Sequence, residues 1–167
     1  MKALKSRGFA LAVLVVVVVA GALYGLSRKP ISVEYAKWIA DDAGLLTAET
    51  QQSLKDYNEN WNDKYHAVVA VATVDSTHRW SAERYASMLG KAWGLGQNDM
   101  LLLEVKGDHY YVLLGDSVNQ TATDTQIAKL KNAIEKNYYD GEYDGATLQF
   151  FRTADVVYAQ MSQMSQR

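Results

Sequence analysis

The chain has 167 residues, of which 49% are hydrophobic, and its formal net charge is −2. It contains no cysteine, which excludes disulfide scaffolds, thiol catalysis and cysteine-bearing zinc or iron–sulfur sites. The three histidines, His66, His78 and His109, are scattered and do not have the spacing of a zinc motif. A metal site built from histidines is therefore not expected.

The charged residues are distributed unevenly. Five of the 17 basic residues flank one apolar run near the N-terminus, so residues 30–167 keep 12 basic residues against 19 acidic ones, a charge of −7. Nucleic-acid binding requires clustered Lys and Arg to neutralise phosphates. Because this part of the chain is acidic and has no basic stripe, we expect no nucleic-acid partner.

The apolar run covers residues 9–26, which are 18 uncharged positions. As a helix they would reach roughly 27 Å, just enough to cross a bilayer. The basic residues before the run favour a single-pass anchor with its N-terminus inside. Ala20-Gly21-Ala22 has the A-x-A form of a signal-peptidase site, so a cleaved signal peptide and a secreted domain remain the alternative. Either interpretation predicts an exported domain.

The predicted organisation has four parts. Residues 1–29 form the anchor or signal peptide with its flanks, and residues 30–37, which contain the only proline, form a linker. A single domain occupies residues 38–161, and residues 162–167 form a polar tail.

The elements of this domain follow from hydrophobic periodicity. An amphipathic helix begins after Thr47, and a Val-rich strand buried on both faces covers 67–74. A helix capped by Ser81 ends at Gly94 and Gly96. A hairpin then pairs 100–105 with 109–114. One apolar stripe from Ile127 to Tyr138 and another from Leu148 to Met161 predict the last two helices, with Gly141 and Gly145 in the loop between them.

This order predicts an α/β fold. A right-handed crossover through the Ser81 helix makes strands 67–74 and 100–105 parallel. The hairpin adds an antiparallel strand. The result is a small mixed sheet, with a parallel βαβ unit and a β-hairpin, that about four helices cover as a three-layer α/β/α sandwich.

Loops rich in Asp and Asn provide the candidate ligand-binding residues. Ligands of open α/β sheets bind at the carboxyl ends of the parallel strands, and we expect these loops to converge there. The predicted metal ligands are Asp41, Asp42, Asn98, Asp99 and Asp116. Carboxylate and amide oxygens are the ligands that Ca²⁺ and Mg²⁺ prefer. Asx residues also stabilise turns without any ligand, which is the alternative at each loop. No motif of a catalytic nucleophile is present, so the catalytic residues are unknown.

Six short motifs occur in one order along residues 38–160. They are D-x-A-G-L-L (41–46), a strand ending in Asp75-Ser76, E-x-Y-A (83–86), W-G-L-G (93–96), N-x-x-L-L-L (98–103) and G-x-Y-x-G (141–145). In this order they resemble the TPM domain family, which is named for thylakoid-lumen, photosystem II repair and acetylcholine-receptor-modulating proteins.

The resemblance implies a compact α/β sandwich on the outer side of a membrane, divalent-cation binding in loops and, for some members, acid phosphatase activity. It matches Asp41 to the aspartate of the D-x-A-G motif and Asn98 to the asparagine of an N-G-V-L-L-L motif. The chain departs from the family where Asp99 replaces a glycine and where Gly115-Asp116-Ser117-Val118-Asn119 replaces a G-Y-G-L-E turn. Asp99 and Asp116 add carboxylates in two loops that we expect to converge.

Two functions are compatible with these residues. The first is a non-catalytic, membrane-tethered accessory module at the cell envelope, which binds Ca²⁺ or Mg²⁺ and a protein partner. The alternative is a weak metal-assisted acid phosphatase acting on phosphate monoesters, with Asp41, Asp99 and Asp116 as metal ligands and a metal-activated water as nucleophile. Whether the chain is an enzyme is therefore left open by the sequence.

Overall fold

The computed structural model describes residues 38–164, in which three strands separated by helices are followed by a fourth strand and four helices. The elements are β1 (Ile39–Asp41), α1 (Ala48–Tyr65), β2 (Val69–Val74), α2 (Ala82–Ala92), β3 (Met100–Val105), β4 (His109–Leu114), α3 (Asp116–Thr121), α4 (Asp124–Asn132), α5 (Glu135–Tyr139) and α6 (Tyr143–Met164). The predicted membrane segment at 9–26 and the linker at 30–37 lie outside the described residues. Across 38–164, no helix is both long and apolar enough to span a bilayer.

The strands form one sheet in the order β1-β2-β3-β4. The first three strands are parallel, and β4 runs antiparallel to β3. All six residues of β2 are buried, as its continuous apolar run predicts for a central strand. The structure confirms the predicted α/β fold with a mixed sheet, a βαβ unit and a hairpin.

Side-chain caps fix the beginnings of three helices. Thr47 and Ser81 have extended backbones and accept a hydrogen bond from an N–H in the first turn of α1 and α2. At α4, Thr123 and Gln126 form a capping box, in which each side chain bonds to the backbone of the other residue.

The two faces of the sheet bury separate hydrophobic clusters. The larger cluster lies under α1, α4, α5 and α6 and contains Trp61, Phe150 and Phe151 with no exposed surface. The smaller cluster lies under α2 and contains Tyr85, Leu101 and Leu103. Helices therefore cover both faces, which completes the three layers.

Four local predictions differ from the structure. Strand β1 and helix α3 were not predicted. The single helix expected through Ile127 and Tyr138 is divided into α4 and α5. Gly145 was expected in a loop but lies inside α6.

Candidate functional site

The loop after β1 is built around the carboxylate of Asp41. Both of its oxygens accept hydrogen bonds, one from the N–H of Leu45 at 2.8 Å and the other from the N–H of Leu46 at 3.2 Å. The Thr73 hydroxyl and the Gln51 side-chain amide also donate to this carboxylate. Asp41 therefore holds the D-x-A-G-L-L loop against the start of α1, and its lone pairs are used within the fold.

A polar row crosses the sheet next to this loop. The strand registers align Asp41 with Thr73, Thr73 with Glu104, and Glu104 with Tyr110. These residues lie near the carboxyl ends of the three parallel strands. Val71 and Leu102 lie two residues before Thr73 and Glu104 on the same face of the sheet, and both belong to the larger hydrophobic cluster. The polar row therefore lies at the border of that cluster.

Glu104 is the most unusual member of this row because it is fully buried. One carboxyl oxygen accepts a hydrogen bond from the Thr147 hydroxyl at 2.8 Å, and the other oxygen, Oε2, has no hydrogen-bond partner. Burial raises the pKa of Glu104 from 4.5 to about 8, and the negative charges of Asp41 and Asp144 act in the same direction against the opposing Thr147 bond. Glu104 is consequently mostly protonated at pH 7.

Asp144 connects the start of α6 to the start of α1. One of its oxygens accepts hydrogen bonds from the N–H and the hydroxyl of Thr47, at 2.9 and 3.0 Å. Partial burial alone would raise the pKa of Asp144, but the hydrogen bonds from Thr50 and Thr47 outweigh it and hold that pKa below its ordinary value. This carboxylate, like Asp41, stabilises a helix start.

The loops before β3 and after β4 meet at the other end of the sheet. The N–H of Gly115 donates to the Asp99 carbonyl at 2.8 Å, and the N–H of Ser117 donates to the Gln97 carbonyl at 3.0 Å. The Asp99 carboxylate accepts hydrogen bonds from the N–H groups of Val68 at 2.9 Å and Gly96 at 2.6 Å. Asp99 therefore ties its own loop to the start of β2.

Two cavities flank this pair of loops. Asp99 and Asp116 line one of about 530 Å³ between α2 and β4, and Asp116 is exposed to solvent there. Asn98 lines a different cavity of about 290 Å³, together with His66 and Tyr158. The structure thus brings Asp99 and Asp116 to one cavity and leaves the Asn98 side chain outside it.

The structure does not bring all five predicted ligands to one point. Asp41 and Asp42 lie at the carboxyl end of the sheet, whereas Asn98, Asp99 and Asp116 lie at its amino end. The two ends are about 17 Å apart, from roughly 3.3 Å per residue along β2. A loop that leads into a parallel strand lies at the amino end of that strand, and antiparallel β4 returns the chain to the same end. Among residues 38–164, no three acidic or histidine side chains are grouped closely enough to hold a metal ion.

Glu104, Thr73 and Thr147 were not among the predicted site residues. The signal for Glu104 was available, because one carboxyl group interrupts the apolar run 100–105. Thr73 and Thr147 carried no such signal, since a threonine in an apolar run does not by itself indicate a buried hydrogen bond. Their role depends on contacts between distant parts of the chain.

Solved structures show the same fold at low sequence identity. The N-terminal domain of the cg2496 protein from Corynebacterium glutamicum has a TM-score of 0.61 and 16% identity, over 80% of this chain and 84% of that one. An N-terminal domain from P. gingivalis has a TM-score of 0.64 and 17% identity, over 72% and 81%. The BA42 protein from Bizionia argentinensis has a TM-score of 0.60 and 16% identity, over 70% and 83%.

A comparison with curated proteins found no significant match. The model of the TPM domain, in contrast, matches residues 39–157, which is well over half of the chain and covers the whole sheet and most of α6. The chain belongs to the TPM domain family.

Proposed function

We propose that the chain is an exported TPM module that binds a divalent cation and a protein partner at the cell envelope and does not catalyse a reaction. Residues 9–26 tether it as a single N-inside span, with cleavage after 20–22 as the alternative. The apolar run with basic residues on both sides supports this placement.

The observation that carries the non-catalytic role is the separation of Asp41 from Asp99 and Asp116. A metal-assisted phosphatase built on these three carboxylates needs them around one ion. They lie at opposite ends of β2, and the Asp41 carboxylate already accepts four hydrogen bonds. Both facts favour a binding module over a metal-assisted phosphatase.

The cavity lined by Asp99 and Asp116 is the best location for the cation. Mg²⁺ is commonly held by one or two carboxylates and several waters, and Ca²⁺ also accepts carbonyl oxygens. Asp116 is exposed, and each Asp99 oxygen uses a single N–H donor, which leaves a lone pair free on each. We therefore expect a weak, solvent-rich site for Ca²⁺ or Mg²⁺ that these two carboxylates share.

Calorimetric titration of Ca²⁺ and Mg²⁺ into the full chain tests the cation site. We expect binding at up to millimolar concentration that Asp116→Asn weakens at least tenfold. Asp42→Asn removes an equally exposed carboxylate at the opposite end of the sheet and is the matched control, which should bind like the wild type. Binding lost in the control and kept in Asp116→Asn would move the site to the carboxyl end. No binding at millimolar concentration would remove the cation from the proposal.

A hydrolysis assay tests the absence of catalysis. The full chain should not hydrolyse a generic phosphate monoester with Ca²⁺, Mg²⁺ or any other divalent ion. Activity that is lost in Asp41→Asn would favour the phosphatase instead, provided that the variant remains folded.

A further inference from the structure

Strand β4 leaves one long edge of the sheet unpaired. In the described part of the chain it pairs with β3 only, and its six residues form the outer strand of the sheet. The opposite edge, β1, is three residues long. Natural sheets protect their edges with short strands, Lys, Pro or bulges, because an unpaired row of N–H and C=O groups is a template for another strand. Strand β1 is protected in this way by its length, whereas β4 is six residues long and contains no Lys or Pro.

The side chains of β4 fit a strand that pairs with another chain. Residues 109–114 contain no carboxylate, Lys, Pro or Gly, and from Tyr110 to Leu114 every residue is apolar or aromatic. Val112 is the one buried residue of the strand, and the other residues keep part of their surface in solvent. A neutral strand rich in aromatic and branched residues has a high tendency to extend a sheet.

A groove lies beside the carboxyl end of this edge, where Leu113 and Leu114 line it. It is the apolar part of the 530 Å³ cavity between α2 and β4, where Leu95, Leu101 and Leu113 line the wall. Gly90 allows α2 to pack close to Leu113 on that side of the groove. A Cβ at residue 90 would lie only 3.1 Å from the Leu113 side chain. Side chains of a strand alternate between the faces of a sheet, so every second side chain of an added strand would lie on the face that holds the groove.

Acidic residues lie at both ends of β4. Asp108, with a side chain that is 69% exposed, precedes the strand, and exposed Asp116 follows it. Lys91 is the basic residue on the wall of the groove. With a charge of −7 on residues 30–167, the surroundings of this edge favour a partner that is basic at its ends. A second copy fits less well, because it would bring the same two aspartates to the same edge.

We propose that β4 is a docking edge for an extended peptide segment with an alternating apolar middle and Lys or Arg at its ends, which adds a fifth strand to the sheet. This mode of recognition takes its affinity from main-chain hydrogen bonds and its specificity from alternate side chains. This proposal rests on the proposed function for the existence of a protein partner. It adds the surface to which that partner binds and the chemistry of the partner.

A model peptide tests the docking edge directly. The probe has two lysines, six alternating valine and threonine residues, and two lysines, and its fluorescence anisotropy is followed as the full chain in detergent is added. A chelator is present throughout, so that loss of the cation site and loss of the docking edge are distinguishable. We expect saturable binding, and binding at least tenfold weaker when glutamate replaces the lysines.

Backbone methylation separates strand pairing from non-specific adhesion. In an extended peptide the N–H groups of the valines point to one edge and those of the threonines to the other, and only one edge faces β4. Methylating the N–H groups of one residue type should therefore abolish binding, and methylating those of the other type should preserve it. Equal effects of the two sets would overturn the proposal. In the protein, Asp108→Lys should weaken binding about threefold to fivefold. Asp63→Lys, an exposed site on α1 across the sheet, should not change it.

A sedimentation experiment tests whether a second copy of the chain, instead of a peptide, pairs with β4. If the full chain self-associates in sedimentation and Tyr111→Lys abolishes that association, the edge belongs to a second copy and the proposal is wrong. Absence of saturable peptide binding to a folded wild-type chain would also overturn it.

Discussion

The buried Glu104 should make the stability of the domain depend on pH in a direction opposite to that of most carboxylates. In the unfolded chain Glu104 loses its proton near pH 4.5, whereas in the folded domain burial keeps the proton until a pKa of about 8. Between these values the folded state binds one more proton than the unfolded state. Its contribution to stability is complete below pH 4.5 and is lost as the pH rises through 8.

The magnitude follows from the size of this shift. Each pH unit in the window lowers the contribution of Glu104 by about 1.4 kcal/mol, so the whole window is worth about 5 kcal/mol. Domains of this size are usually stable by about 5–15 kcal/mol. The loss at pH 9 is therefore a large part of the total. No correction for solvent screening is needed, because the Glu104 side chain has no exposed surface.

Glu104→Gln is the variant that isolates this effect. Glutamine has the same shape, can still accept the Thr147 hydrogen bond at 2.8 Å, and carries no charge at any pH. Urea unfolding from pH 5 to pH 9 should show a stability that falls more steeply in the wild type than in the variant, with a difference of about 4 kcal/mol accumulated between these two pH values.

The difference in slope is the diagnostic quantity, since the side chain of residue 104 keeps one polar atom without a partner in the wild type and also in the variant. Glu142→Gln is the control, because Glu142 is exposed and its side chain stays in water when the chain folds. Its slope should follow the wild type. Parallel slopes for Glu104→Gln and the wild type would refute the argument that Glu104 is buried as a neutral acid.

Two further substitutions test how the strands and loops are held. Gly115→Ala should destabilise the domain by more than 2 kcal/mol, because its Cβ would lie 2.3 Å from the Gln97 carbonyl oxygen, whereas Gly96→Ala should cost far less, with its nearest contact at 3.4 Å. Chemical denaturation of both variants gives the comparison, and equal costs would contradict it. Asn58→Ala should cost about 3 kcal/mol in the same assay, because it leaves both the buried N–H and the buried C=O of Val69 without their partners at 2.7 and 2.9 Å.

The parts of the fold that the sequence predicts well are those with a long, one-sided pattern. Six buried positions in β2 and the cap and stripe of α1 are visible from residue types alone. Strand β1 was missed because three residues cannot display a period, and it is identified only by its pairing with β2. Its inclusion in the sheet explains why the Asp41 loop lies beside Thr73 and Glu104.

The break between α4 and α5 was invisible for a different reason. Ala133 and Ile134 keep dihedral angles close to helical values, with φ of −61° and −90°. The side-chain period of the stripe from Ile127 to Tyr138 therefore continues across the break. Hydrophobic periodicity reports which face is buried, and it does not report whether the backbone hydrogen bonds are continuous.

The candidate site illustrates a third limit, which concerns topology. Asp99 and Asp116 lie in loops that adjoin the two hairpin strands and meet at one end of the sheet. The expectation that Asp41 lies with them depends on the end of the sheet at which each loop emerges, which residue types do not show. Once β3 is parallel to β1 and β4 is antiparallel, the loop before β3 and the loop after β4 must both lie at the amino end.

Asp41, the aspartate of the most recognisable family motif, is less available to a ligand than Asp116. Asp41 stands in a motif that identifies the family, and the structure shows its carboxylate accepting hydrogen bonds from two N–H groups, a hydroxyl and an amide. A cation would have to displace these donors and loosen the start of α1. Asp116 has an exposed carboxylate and adjoins the unpaired edge of β4. For both the proposed cation and the proposed peptide partner, binding at the amino end and along β4 therefore disrupts fewer existing hydrogen bonds than binding at the Asp41 loop.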